Sequence, residues 1–312
     1  VVKRARAERG AVYHLHDPEL LPWAGPLARQ GGVIFDMHED LPRQMLTKPW
    51  LPRWLRPALA AGARLAERRL LRGKRVVLAE ASYQAGRRWL QDPVTVLNFP
   101  RVRLLEELGA GHPPGERRRL AYLGAVTPQR GSLRTIEALG RLQAQGRQLG
   151  FACVGPVSEE HREQLLEAAS GHGLADVSVP GFLPAPQGWE MLTGCVAGLA
   201  LLDPQPNYLE SYPTKLFEYM ALGLPVIASN FPLYREIVSS AGCGLVVNPH
   251  DVEGIATAVR TILDDPDLAR QMGLRGRRAA RERFSWESEE KKLLDLYGAL
   301  AGQACGGRNP GI

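Results

Sequence analysis

Cysteine is scarce in this 312-residue chain, and none of it is paired in sequence. Cys153, Cys195, Cys243 and Cys305 form no Cys-x-x-Cys, which excludes the usual zinc-binding spacings. The first three sit in or beside apolar, strand-like runs, so buried free thiols in a reducing compartment are expected. Long apolar runs are missing too. A bilayer span needs ~20 residues, and the longest stretches, such as Cys195 to Leu202, are strand-sized. The N-terminus has charges with no apolar core behind them, so no signal peptide is read there, and a soluble, cytoplasmic protein is expected. Internal repeats are absent.

The balance of what is present suits a folded protein. Hydrophobic residues are 45% and charged residues 23%, so disorder is not the starting assumption. Length predicts two domains. Net charge is +6 and unevenly spread. Residues 1–118 hold 21 Lys and Arg against 12 Asp and Glu, a net +9, and the remainder nets −3. A basic first half points to an anionic partner. With no helix-turn-helix, finger or RNP-like pattern, nucleic acid is not expected.

Short apolar runs alternate with helix-length amphipathic segments, the pattern of a parallel α/β sheet. Strands are predicted at Val12–Leu15, Val33–Phe35, Val76–Leu78 and Val94–Leu97, then at Arg119–Gly124, Phe151–Gly155, Val177–Val179, Gly198–Leu202, Pro225–Ala228 and Gly244–Val247. The second set suffices for a complete doubly wound domain. The Gly/Pro-rich stretch 109–115 reads as a linker. Domains are therefore expected over 1–110 and 118–283, with a last helix over 284–301 and a frayed tail from Gly302 to Ile312.

The segment from Asn207 to Ser229 carries the chemistry. Pro213 and Thr214 suit a helix start, and Gly223 suits its stop. Glu218 is the only charged residue between Lys215 and Arg235. A carboxylate in so apolar a stretch requires a partner or water. It lies one turn beyond Thr214, near a helix N-terminus that attracts anions. Lys215, one of only six lysines, adds a compact cation there. The combination describes a pyrophosphate site with a carboxylate one turn deeper, placed for a ribose. A structural ion pair of Glu218 with Lys215 or a distant arginine is the alternative.

These residues resemble the retaining, GT-B-fold glycosyltransferases of family 4, the glycosyl transferases group 1. The resemblance rests on Glu210 and Glu218 at the family spacing, followed by Gly223-Leu-Pro-Val-Ile227. It extends to Leu123–Gly131 as first strand and phosphate loop, with Ala125 in place of an arginine and Arg130 in place of a lysine. Val179-Pro-Gly181-Phe182 resembles the loop at the nucleotide base. His14-Leu-His16-Asp17 and Asp36-Met-His38-Glu39 resemble strand ends that face the cleft. The resemblance implies two Rossmann-like doubly wound domains facing a cleft, the first one truncated because family members begin with strands ahead of His14.

It also implies transfer from a nucleotide-sugar donor with retention and without a metal or other cofactor. Arg130, Lys215, Ser211 and Thr214 would hold the donor phosphates, Glu218 the ribose, and Gly181 and Phe182 the base. Glu210 and His38 would act at the donor sugar, and His16, Asp17 and Glu39 would face the acceptor. Two other readings stay open, a non-catalytic nucleotide-binding or scaffold relative and a sugar-nucleotide epimerase of the same fold.

The stretch from Lys48 to Arg75 holds nine Lys and Arg against Glu67 alone, with Trp50 and Trp54 at its start. Such a helix can lie on anionic lipid or be a solvated surface. The first option suits a lipid-linked acceptor in surface-polysaccharide assembly and a peripheral place on the inner face of a membrane.

Overall fold

Alternation along four short strands organises the first unit, residues 1–98 with 287–312. The structure, a computed structural model, describes residues 1–48 and 50–306. Strands β1 (Val12–Leu15), β2 (Gly32–Met37), β3 (Arg75–Leu78) and β4 (Val94–Thr95) are parallel and lie in that order. On one face Tyr13, Leu15, Val33, Phe35, Met37, Val76 and Leu78 join Leu21, Ala24 and Leu27 of the helix Leu21–Ala28 in an apolar core. Period two puts His14, Ile34, Asp36 and Val77 on the opposite face. The helix Trp286–Gly306 covers that face from Glu287 onward, with Leu296 and Leu300 buried. A methyl group on Gly32 would stand 3.1 Å from the Leu300 Cβ, so the helix sits directly on β2.

Beside this sheet Arg87 is buried between two carboxylates, Glu67 at 3.0 Å and Asp40 at 2.9 Å. Glu67, the one acid of the basic stretch, is therefore turned inward. The outer surface of its helix, Arg56–Leu70, is left to Arg64, Arg68 and Arg69.

The second unit, residues 99–286, holds the six remaining strands. These are β5 (Arg119–Leu123), β6 (Gly150–Val154), β7 (Val177–Gly181), β8 (Ala197–Ala200), β9 (Val226–Ser229) and β10 (Gly244–Val247). All pairs are parallel, and the order is β10-β9-β8-β5-β6-β7. The chain builds outward from β5 through β7, then returns to the other side of β5 with β8. That reversal leaves a crevice at the carboxyl ends of β5 and β8, where doubly wound sheets bind ligands. One sheet face packs on the helices Ser132–Ala144, Glu159–Gly171 and Val252–Asp264. The other presents the small residues Ala121, Gly198 and Ala200 and admits the almost wholly buried helix Thr214–Leu222.

The chain passes between units at Asn98 and Phe99, not at the 109–115 stretch. Gly109 ends a helix, Val102–Gly109, that packs within the second unit. A side chain there would meet the Leu222 carbonyl oxygen at 2.5 Å, so this glycine serves close packing rather than a hinge. The last helix runs past the expected end near Leu300 to Gly306; the rest of the predicted frayed tail, 307–312, lies outside the described residues. Cys153, Cys195 and Cys243 are buried free thiols, each pushed up to about 12 by burial and therefore inert. No described helix is long and apolar enough to cross a membrane.

Candidate active site

Helix Thr214–Leu222 is fastened at the point where β5 and β8 part. These strands pair only at Leu120 with Ala197 and Ala121 with Gly198. Beyond that the Tyr219 hydroxyl bridges them, accepting from the Leu123 N–H at 2.8 Å and donating to the Leu199 carbonyl at 3.2 Å. Its ring lies where any side chain on Gly198 would be, 2.2 Å from the position of a Cβ there. At the far end Gly223 takes φ +78° and closes the helix, as the sequence predicted. Arg277 donates to the Leu222 and Gly109 carbonyls, placing a cation at the negative end of the helix dipole.

One turn before Tyr219, this anchoring drives Lys215 into the protein. Its side chain is 7% exposed, and its ammonium stands 3.9 Å above the Tyr122 ring. No hydrogen-bond acceptor meets it among the described residues. Burial, then the neighbouring Arg130, lower its pKa from 10.5 to about 7. Arg130 closes the loop after β5, and its guanidinium faces Tyr122 and Tyr208. The two cations converge over Gly124. A Cβ built on that glycine would lie 3.4 Å from the Lys215 Nζ and 3.9 Å from an Arg130 guanidinium nitrogen. Gly124 has φ +110° and Gly131 φ +79°, so the loop between them needs glycine at both positions. Among the described residues neither cation has a carboxylate within ion-pair distance. Two cations without a carboxylate partner, one of them buried, leave positive charge here that the described residues do not compensate.

Glu218 is one turn deeper, as the spacing predicted. It is not paired with Lys215. Its Oε1 accepts from the Trp189 indole N–H at 2.9 Å. Burial raises its pKa, while Trp189 and Lys215 pull the other way. Trp189, on the helix Ala185–Leu192, is the residue sequence reasoning missed, for no local pattern links it to a position 29 residues away. Tyr122 and Tyr208 were missed for the same reason.

Around this centre the remaining predicted residues of the unit line the carboxyl ends of the strands. Ser211 and Thr214 flank the helix start at Pro213. Glu210 is exposed on the loop after β8, following the short helix Pro206–Leu209. Gly181, with φ +85°, ends β7, and Phe182 beside it is 73% exposed.

The first unit has a polar cluster of its own. Positions two apart, 14 and 16 at the end of β1 and 36 and 38 at the end of β2, bring His14, His16, Asp36 and His38 to one side of the strands and just beyond their ends. Asp36 Oδ2 lies 3.3 Å from His14 Nε2, 3.5 Å from His16 Nδ1 and 3.1 Å from His38 Nε2. Burial and then His14 lower the His16 pKa. Of the acceptor-side residues, His16 belongs to this cluster, whereas Asp17 and Glu39 are exposed beside it. His14 and Asp36 stood in the quoted motifs without a role; the alternation along the strands was the signal that could have joined them.

Comparison with known proteins fits this geometry. Residues 106–279, more than half of the chain, match the family model described as glycosyl transferases group 1. Over 189 residues the chain is 29% identical to a D-inositol 3-phosphate glycosyltransferase of Nocardioides, covering 57% of this chain and 41% of that protein. It is 30% identical over 204 residues to a GDP-mannose-dependent alpha-(1-6)-phosphatidylinositol monomannoside mannosyltransferase of Mycolicibacterium smegmatis, covering 63% and 50%. The chain thus spans half the length of these relatives or less. The structure of the Anabaena protein HepE, solved with UDP, superposes with a TM-score of 0.69 at 16% identity, covering 96% of this chain and 82% of that one. The architecture is GT-B, with two parallel-sheet α/β units as the sequence predicted, and the chain belongs to the glycosyl transferases group 1 family.

Proposed function

We propose that the chain binds a nucleotide-sugar donor through its second unit and transfers the sugar with retention to a glycan or lipid-linked acceptor. The buried, unpartnered Lys215 ammonium beside Arg130 carries this reading. As the bond from the anomeric carbon to the diphosphate breaks, its electron pair passes to a phosphate oxygen. A cation already fixed in an apolar wall stabilises that charge without reorganising. Ser211, Thr214 and the first amides of the helix complete the phosphate site. Glu218 takes the ribose, exchanging or sharing its Trp189 hydrogen bond. Gly181 and Phe182 receive the base, and Glu210 holds sugar hydroxyls. In the first unit His38 acts at the donor sugar, and His16, Asp17 and Glu39 serve the acceptor. No metal has a part in this scheme. UDP in HepE and GDP-mannose in the mannosyltransferase's name support a diphosphate donor.

Binding should be linked to protons. Free Lys215, with its pKa at about 7, is about nine-tenths neutral at about pH 8. A diphosphate restores the charged form, so calorimetry in buffers of different ionisation enthalpy should show uptake of about 0.9 proton at that pH. Affinity should fall up to about tenfold per pH unit above 7. The Cys153 thiol beside Lys215 stays protonated across this window, and Arg130 stays charged. Proton-independent binding would remove Lys215 from the phosphate site.

The basic segment 48–75 supports a membrane-facing acceptor. Trp50 is 70% and Trp54 80% exposed, with Leu65 at 68% among the exposed arginines. Exposed tryptophan beside arginine suits the headgroup region of an anionic bilayer on the inner membrane face. Co-sedimentation with vesicles containing anionic lipid is expected, with little binding to neutral vesicles. Equal, negligible binding to both would discard this part of the reading.

A further inference from the structure

The cluster on the first sheet has more donor atoms than its hydrogen bonds use. Asp36 is 8% exposed, and its Oδ1 has no hydrogen-bond partner. His14 Nε2 is also buried without a hydrogen bond, although it stands 3.3 Å from Asp36 Oδ2. The other ring nitrogen of His14 is engaged, with Nδ1 2.5 Å from the Tyr297 hydroxyl on the last helix. That contact orients the imidazole and turns Nε2 toward Asp36, the arrangement typical of a histidine that ligates a metal. One ligand atom from each of His14, His16 and Asp36 lies within 4.8 Å of the other two. His38 Nε2 adds a fourth nitrogen, 3.1 Å from the same carboxylate oxygen and 3.3 Å from His16 Nδ1.

These separations discriminate between metals. Ligands at about 2.0–2.1 Å from a tetrahedral ion stand roughly 3.3 Å from each other. The separations of Asp36 Oδ2 from His14, His16 and His38 are 3.3, 3.5 and 3.1 Å, so small side-chain movements would suffice. Imidazole nitrogens with one carboxylate suit zinc and its neighbours, not magnesium or calcium.

We propose that His14, His16 and Asp36, with His38 at the rim, form a binding site for a divalent transition metal, zinc by donor set and spacing. The expectation of no zinc site rested on cysteine spacing, and this set draws instead on neighbouring positions of two strands. Because His16 and His38 are 55% and 41% exposed at the side chain, the site opens to solvent and can load without unfolding. A metal held here would occupy His16 and His38 and compete with the roles proposed for them in transfer; the test reads binding alone and needs no sugar transfer.

The test uses the full chain, free of any affinity tag and stripped with a chelator. Zinc is titrated in competition with a chromogenic chelator. One zinc per chain is expected, with a Kd on the order of 1 μM or tighter. His16→Ala, a change at an exposed side chain that leaves the core intact, should weaken binding at least about tenfold. His14→Ala should do the same, and cobalt should give the visible absorption of a tetrahedral centre. Absence of saturable binding, or an affinity unchanged in His16→Ala, overturns the proposal.

Discussion

Lys215→Met is expected to make the protein more stable and nearly inactive. Lys215 is held in the folded state with its pKa lowered from 10.5 to about 7, chiefly by burial. Between these values the unfolded chain binds a proton that the folded chain does not. Stability therefore rises with pH across that window, and the full penalty applies below about pH 7. One pKa unit corresponds to about 1.4 kcal/mol, so the lysine costs the folded protein roughly 4 kcal/mol near neutrality. Methionine fills nearly the same volume, keeps the contact with the Tyr122 face and carries no charge. A gain of about 1–3 kcal/mol should remain after imperfect packing. The gain should be largest below pH 7 and fade toward pH 10. Donor turnover should drop about 10²–10³-fold, the cost of losing one fixed stabiliser of developing charge. Thermal unfolding across pH and a donor-consumption assay check the two halves separately. A destabilised variant would mean the ammonium has a partner in the fold; an active one would mean the phosphate is held elsewhere. A gain in stability with loss of function is expected where a site is built for an absent ligand.

Gly198→Ala is expected to cost at least about 3 kcal/mol or to prevent folding of the second unit. The added methyl group would stand 2.2 to 2.6 Å from three atoms of the Tyr219 ring. The ring cannot retreat, because it is fully buried and its hydroxyl ties Leu123 to Leu199. Moving it strands two backbone groups, each worth about 1–3 kcal/mol when unsatisfied. Gly62→Ala is the contrast. It lies inside the helix Arg56–Leu70 with nothing within 4 Å of the new atom, so a gain of about 0.5–1 kcal/mol is expected. Denaturant midpoints of the two variants should differ in sign. Tolerance of Gly198→Ala would refute the anchoring of helix Thr214–Leu222 by Tyr219.

These two residues also mark how far the sequence reaches. Every predicted strand is present, because each is a short, mostly apolar run and most have a glycine or proline close by, and that pattern is local. The helix after Pro213 and its stop at Gly223 are local as well. The boundary between units was misplaced because glycines 109–115 look the same in sequence whether they bend a linker or admit a neighbouring helix. Only packing against Leu222 distinguishes the two.

The site divides along the same line. Spacing within one helix sufficed to associate Lys215 with Glu218, since residues three apart share a helical face. What each carboxylate and cation meets was not legible. Glu218 finds Trp189 rather than Lys215, and Lys215 finds an aromatic face and no acceptor. Those partners come from other elements, brought together by the reversal of strand order between β5 and β8. The histidine cluster is a third instance. His14 and His16 alternate at the end of one strand, and Asp36 and His38 at the end of the next, but they meet only because the register aligns the two strands. The sequence by itself therefore determined the elements, their class and the residues of one helix face. The tertiary structure alone decided which buried charges are paired and which are left without a partner, because pairing across strands depends on order and register, which no local pattern encodes.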